Sequence, residues 1–146
     1  MIQDQPSLQI ITWLLIIVGW GIVNHQNNIR ETRKEARSMA DEAKTSVVNT
    51  CTAAIAYFSD SNETGAAELK SSLELLEIEL ERFPLFKDGS TLMVKFLNFN
   101  QAIMGGDFES LTREIKGLDS AEVKSLRRSR NALLAEIERQ FRIHFC

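Results

Sequence analysis

The chain has 146 residues, 44% of them hydrophobic, and a formal net charge of −3. Past the apolar stretch near its start, that length suffices for one domain and not two. No Gly-rich phosphate loop, Walker motif, zinc spacing or Ser-His-Asp order is present, so those chemistries are excluded.

Leu8 to Val23 reads LQIITWLLIIVGWGIV, with no charge in it. A helix needs roughly 20 apolar residues to cross a ~30 Å hydrocarbon core. The run is slightly short. Ser7 and Asn24 as interface residues, bilayer thinning or oligomerisation would make up the difference. The expectation is a retained transmembrane anchor over residues 1–24. A cleaved leader is the first alternative: Gly19-Trp20-Gly21 offers a small-x-small site, but no Lys or Arg precedes the apolar stretch. A buried helix of a globular fold is the second. Asp4 is the only ionised side chain before the run, whereas Arg30, Arg33, Lys34 and Arg37 follow it. The positive-inside rule then places residues 25–146 in the cytoplasm and the N-terminus outside a bacterial inner membrane. Those four basic residues would meet anionic headgroups.

Gln9, Thr12, Ile16, Gly19 and Val23 recur at three-four spacing and share one helical face. A glutamine amide seeks a partner in an apolar setting, and a glycine lets helices approach. One reading is a self-association stripe, which in a ring of copies would line a narrow pore. The other leaves Gln9 at headgroup level.

From Asn24 to Ser59 there is no Gly or Pro, so the first helix is expected to run on unbroken. Ala36, Ala40, Ala43, Val47, Cys51, Ala54 and Phe58 follow a three-four spacing suited to close packing. The turn formers from Asp60 to Gly65 end the helix. A second helix carries Leu69, Leu73, Leu76, Leu80 and Phe83 as its seam, with Glu74, Glu77, Glu79 and Glu81 on the remaining surface. Pro84 stops it, and Asp88-Gly89 marks a turn. Ser90 caps a third helix bearing Leu92, Met93, Phe96, Leu97, Phe99, Ile103 and Met104, apolar on most sides and thus expected at the centre. Gly105-Gly106 breaks it. A short helix with Phe108, Leu111 and Ile115 is expected next. Asp119 and Glu122 have capping-box spacing and open the last helix. That helix turns Val123, Leu126, Leu133, Leu134, Ile137 and Phe141 inward. The expected fold is all-α: an anchor continuing into a bundle of about four or five helices.

Charge is uneven. Residues 25–59 are near neutral, 60–119 acidic, and 120–146 basic through Lys124, Arg127, Arg128, Arg130, Arg139 and Arg142. Packing of the two halves against each other or a partner is the first reading, an RNA or nucleotide surface the second. Cys51 and Cys146 form no metal spacing and are expected as reduced thiols, with Cys51 a small core residue rather than a reactive one. His25 lies at the apolar boundary. No metal or cofactor is expected.

Arg139-Gln140-Phe141-Arg142-Ile143-His144 is an Arg-x4-His arrangement near the end of the last helix. A His moves protons at neutral pH, and an Arg grips phosphate bidentately. The arrangement resembles the signature of the HEPN superfamily of helical bundles, several of which cut RNA without a metal. Gln140 stands where that family often has Asn, Asp or His. In the family two protomers usually bring their motifs together. The whole layout of N-terminal anchor, small helical domain and terminal Arg-x4-His looks like the membrane accessory proteins of type VI-B CRISPR systems. Those are HEPN-like and assemble into pores that reinforce RNA-guided defence. The resemblance implies an oligomeric antiphage effector, with membrane lipids, further copies and a cytosolic defence protein as partners and RNA as a further candidate. The alternatives are a tethered ribonuclease with Arg139 and His144 in its site, and a non-enzymatic scaffold recruiting a cytosolic partner. Trp13, Gly19-Trp20, Asn24, Asn27-Asn28 and Arg30-Glu31-x-Arg33-Lys34-Glu35 also resemble uncharacterised single-pass bacterial proteins, which implies no function.

Overall fold

The computed structural model describes residues 6–59, 65–83, 90–110 and 114–145, with side chains from residue 9 onward. Four helices are present among the described residues: α1 Pro6–Ser59, α2 Gly65–Arg82, α3 Thr91–Met104 and α4 Ala121–Phe145. The chain divides into two compact units, Met1–Glu35 and Ala36–Cys146, and α1 contributes to both. The expected turns at Asp60–Thr64 and Asp88-Gly89, the stop at Pro84, and Leu111 and Cys146 lie outside the described residues.

The first unit corrects the transmembrane reading. Among the described residues, no helix is long and apolar enough to cross a membrane. The apolar run is only 16 residues, with Gln9 near its start and Asn24, His25 and Gln26 straight after it. That falls short of the roughly 20 apolar residues a span requires. The N-out orientation and the inner-membrane localisation follow from that span and fall with it, and the pore and the headgroup role of Arg30, Arg33, Lys34 and Arg37 lose the span they presuppose. What the unit does show is bareness. Its large apolar side chains from Ile10 to Val23 are 53–71% exposed, and they point in every direction around the helix.

The second unit is a helical bundle whose core follows the sequence periodicity closely. In α1 the seam of Ala36, Ala40, Ala43, Val47, Cys51, Ala54 and Phe58 is buried throughout. Small side chains there let neighbouring backbone come near, since a helix face of alanines adds little radius. In α2, Leu69, Leu73, Leu76 and Leu80 are buried, and Phe83 just beyond it is buried too. In α3 the buried residues are Leu92, Phe96, Phe99 and Ile103. Val94 and Leu97 are exposed, so α3 is one-sided rather than enclosed. It packs against α4, which buries Val123, Leu126, Leu133, Ile137 and Phe141. Leu134 is partly buried against the same core.

Helix ends are chemically explicit. The Ser90 hydroxyl accepts from the Met93 N–H at 3.1 Å, satisfying one orphan donor of α3. At its other end the Gly105 N–H donates to the Gln101 carbonyl at 2.9 Å. A side chain at Gly105 would bring a Cβ within 2.6 Å of that carbonyl oxygen, and Gly106 adopts φ +71°. Both positions require glycine. The cap of α4 differs from the capping-box expectation by one residue. Ser120, not Asp119, accepts from Val123 N–H at 3.3 Å.

The expected short helix after Gly106 is absent from its described part. Residues 106–109 form turns, and 114–117 have no regular structure. Phe108 is buried, but Ile115 is 63% exposed, so the segment has no apolar face to hold a helix down. Fixed bonds hold it instead. The Tyr57 hydroxyl donates to the Phe108 carbonyl at 2.6 Å, and the Lys116 N–H donates to the Phe58 carbonyl at 2.8 Å. The loop is thereby pinned to the C-terminal end of α1.

Candidate functional site

The polar chemistry of the second unit concentrates along α4 from Glu136 to His144. Glu136 is only 6% exposed, an unusual position for a carboxylate. It accepts from Arg139 Nε at 2.8 Å and Arg139 Nη2 at 2.6 Å, and from Gln140 Nε2 at 2.7 Å. The bidentate fork satisfies both partners at once. The Arg139 bonds hold the Glu136 carboxyl below its usual range despite burial, and Glu136 in turn raises Arg139.

This arrangement decides how the Arg-x4-His residues stand. Arg139 spends its guanidinium fork on an internal carboxylate. His144 is exposed on the last turn and makes no hydrogen bond among the described residues. Residues five apart on a helix point about 140° apart, with 3.6 residues per turn. The two side chains are therefore not brought together within one chain. Gln140 does not line a reaction centre. It backs up Arg139 on Glu136.

One turn-phase away lies a second cluster that sequence reasoning missed. Glu138 accepts from Arg37 Nη1 at 3.1 Å and from Lys44 Nζ at 2.9 Å. Asp41 bridges the same two cations from the α1 side, at 3.1 Å to Arg37 and 2.8 Å to Lys44. The Arg37 guanidinium also lies 5.1 Å over the Phe141 ring. Arg37, expected at a headgroup boundary, is thus part of an ionic clasp joining α1 to α4. The 4- and 3-residue spacing of Arg37, Asp41 and Lys44 was the available signal. Nothing in sequence pointed to Glu138 as the distant partner.

The clasp has a pH signature. Hydrogen bonds from Lys44 and then Arg37 pull the Glu138 carboxyl down to about 2 from an ordinary value of 4.5. A carboxylate depressed in the folded state binds fewer protons there than in the unfolded chain. Its stabilisation is therefore complete above about pH 4.5 and disappears as pH falls towards 2. Discounted for partial solvent exposure, the loss is roughly 1–2 kcal/mol. Urea unfolding at pH 6 and pH 3 should show it. Glu138→Gln should lose distinctly less stability over that interval than the native chain, keeping only the share of lowered carboxyls such as Glu136. Equal losses in both proteins would sink the assignment.

The other expected site residues are placed as follows. Gln9, Thr12, Ile16 and Gly19 lie on exposed surface of the first unit, as do Arg30, Arg33 and Lys34. Cys51 is fully buried in the α1 seam, and burial pushes its thiol pKa up, which disfavours the reactive thiolate. Among the described residues no group of three His, Cys, Asp or Glu side chains is placed to hold a metal ion. Neither a protein-family model, nor a curated protein, nor a solved structure matches the chain.

Proposed function

We propose that this chain is a non-enzymatic, self-assembling helical scaffold: copies gather through the apolar first part of α1, and each displays its Ala36–Cys146 unit to protein partners. The observation that carries the reading is the bareness of Ile10 to Val23. A helix that is apolar all round must be enclosed by something, and one groove on one partner covers only one side. A bundle of identical helices covers the inward side and both flanks of each copy, more than one groove does, and needs no second gene product. The Gln9, Thr12, Ile16 and Gly19 face supplies a polar and small stripe on which such a bundle can register.

The α4 chemistry favours a scaffold over a ribonuclease. Arg139 is engaged by Glu136, and His144 stands apart from it. A general acid–base pair needs its groups within reach of one substrate.

The test is the mass of the full chain by analytical ultracentrifugation, in buffer and in a mild detergent. A discrete oligomer of three or more copies is the expected result. A monomer under both conditions would overturn the proposal. So would single copies that partition into lipid vesicles, because lipid would then be what covers the helix.

A further inference from the structure

Among the described residues, no ion pair joins a carboxylate of the acidic stretch 60–119 to a cation of the basic stretch 120–146. On α2, Glu74, Ile78 and Glu81 follow four-three spacing on the side away from the buried Leu69, Leu73, Leu76 and Leu80, and Leu75 lies three residues before Ile78. Leu75 is 58% exposed and Ile78 48%. Leu75 and Ile78 therefore sit side by side, with both carboxylates along the Ile78 edge, Glu74 before it and Glu81 after it. Glu74 and Glu81 make no ion pair among the described residues. On the outward face of α4, Lys124 and Arg128 are exposed one turn apart, followed by exposed Asn131 and Ala135. Lys124 and Arg128 make no ion pair among the described residues either. The internal salt bridges use other groups: Glu136 with Arg139, Glu138 with Arg37 and Lys44.

We propose that the α2 stripe of one copy docks on the outward α4 face of a neighbouring copy, acidic and apolar on basic. The two faces complement each other in charge. Lys and Arg stems also cover apolar surface while their heads stay wet, so Lys124 and Arg128 can shield Leu75 and Ile78 as well as pair with Glu74 and Glu81. The occupant is a second copy because each chain carries both faces and both are exposed among the described residues. Such a contact uses two different surfaces. It therefore passes from copy to copy and ends only when a ring closes.

A single helix-on-helix contact is smaller than the roughly 1,000 Å² that a free-standing interface needs. This inference accordingly rests on the assembly through α1, which raises the effective concentration of neighbouring units to the millimolar range. Charged faces also make the contact salt-sensitive, unlike the apolar one.

The test uses the full chain in light and heavy isotopic forms, mixed and coupled with a zero-length carbodiimide at low salt. Links between Glu74 or Glu81 and Lys124 should join light to heavy copies and disappear at high salt. One variant reverses α2 (Glu74→Lys with Glu81→Lys), and another reverses α4 (Lys124→Glu with Arg128→Glu). Each alone leaves no carboxyl–amine pair at these positions and so gives no such links, which makes the mixture the deciding sample. Mixing the two should restore them to at least half the native yield. All substituted positions are exposed, and the thermal midpoint of each variant checks that folding is intact. Links confined to one isotope, or no recovery on mixing, would overturn the contact. Nucleic acid bound by the native chain and by the α2 variant but not by the α4 variant would overturn it too, since phosphate would then be the α4 partner. Sedimentation at high salt separates the two levels. An oligomer there that shows no α2–α4 links at low salt rejects this contact alone, whereas a monomer there rejects the assembly through α1.

Discussion

Phe99→Ala should cost the Ala36–Cys146 unit about 3–5 kcal/mol, most of what holds a unit of this size together. Phe99 is fully buried on α3, the helix that packs against α4, and belongs to the same buried core cluster as Phe96 and Ile103. Removing the ring deletes its transfer energy and leaves a cavity that helices fixed by caps at Ser90 and Ser120 cannot readily close. At roughly 4–8 °C per kcal/mol, the thermal midpoint should drop far enough to leave the variant partly unfolded at ordinary temperatures. Leu97→Ala is the matched control. Leu97 is two residues away on the same helix but 48% exposed, so its truncation should cost less than about 1 kcal/mol. Urea unfolding of both variants followed by circular dichroism decides the matter. Equal losses would mean that α3 is not seated as described.

The contrast between Phe99 and Leu97 also shows how far sequence reasoning reached. Every apolar position expected to face the core on α1 and α2 is buried, because a three-four seam in a polar surround has one energetically sensible orientation. On α3 that logic overreached. Leu92, Met93, Phe96, Leu97, Phe99, Ile103 and Met104 are dense enough to suggest a central helix apolar on most sides, yet periodicity cannot say which flank lacks a neighbour. The segment after Gly106 failed for a related reason. Phe108, Leu111 and Ile115 have helical spacing, but long-range bonds from Tyr57 and to Phe58 set the path of the described part. The clasp was illegible because its key residue, Glu138, lies 94 and 101 positions from its partners. The Arg-x4-His motif was legible as a pattern, but its meaning was not. Only the structure shows Arg139 held by a carboxylate three residues earlier. Hydropathy alone makes the apolar run a membrane span, although its 16 residues are too few.

That run gives the second large expected effect. Gly19→Leu should weaken self-association at least tenfold while leaving the Ala36–Cys146 unit as stable as before. A Cβ built at Gly19 meets nothing within 4 Å in the single chain, so the fold of one copy has no objection to it. Replacing a glycine inside a helix by leucine even favours the helix by somewhat under 1 kcal/mol. Any loss must therefore come from a neighbouring copy. In a bundle registered on Gln9, Thr12, Ile16 and Gly19, the glycine is where backbones approach most closely. Forcing an isobutyl group into such a contact typically costs 1–3 kcal/mol, a factor of roughly ten to a hundred in the dissociation constant. Gly21→Leu supplies the control. It also has open space around it, and two residues further along the helix it points about 160° away from Gly19. It should leave the oligomer unchanged. The measurement is the sedimentation profile of both variants over a dilution series. If both variants dissociate alike, the copies do not register on the Gly19 face. If neither does, close approach at Gly19 plays no part in holding them.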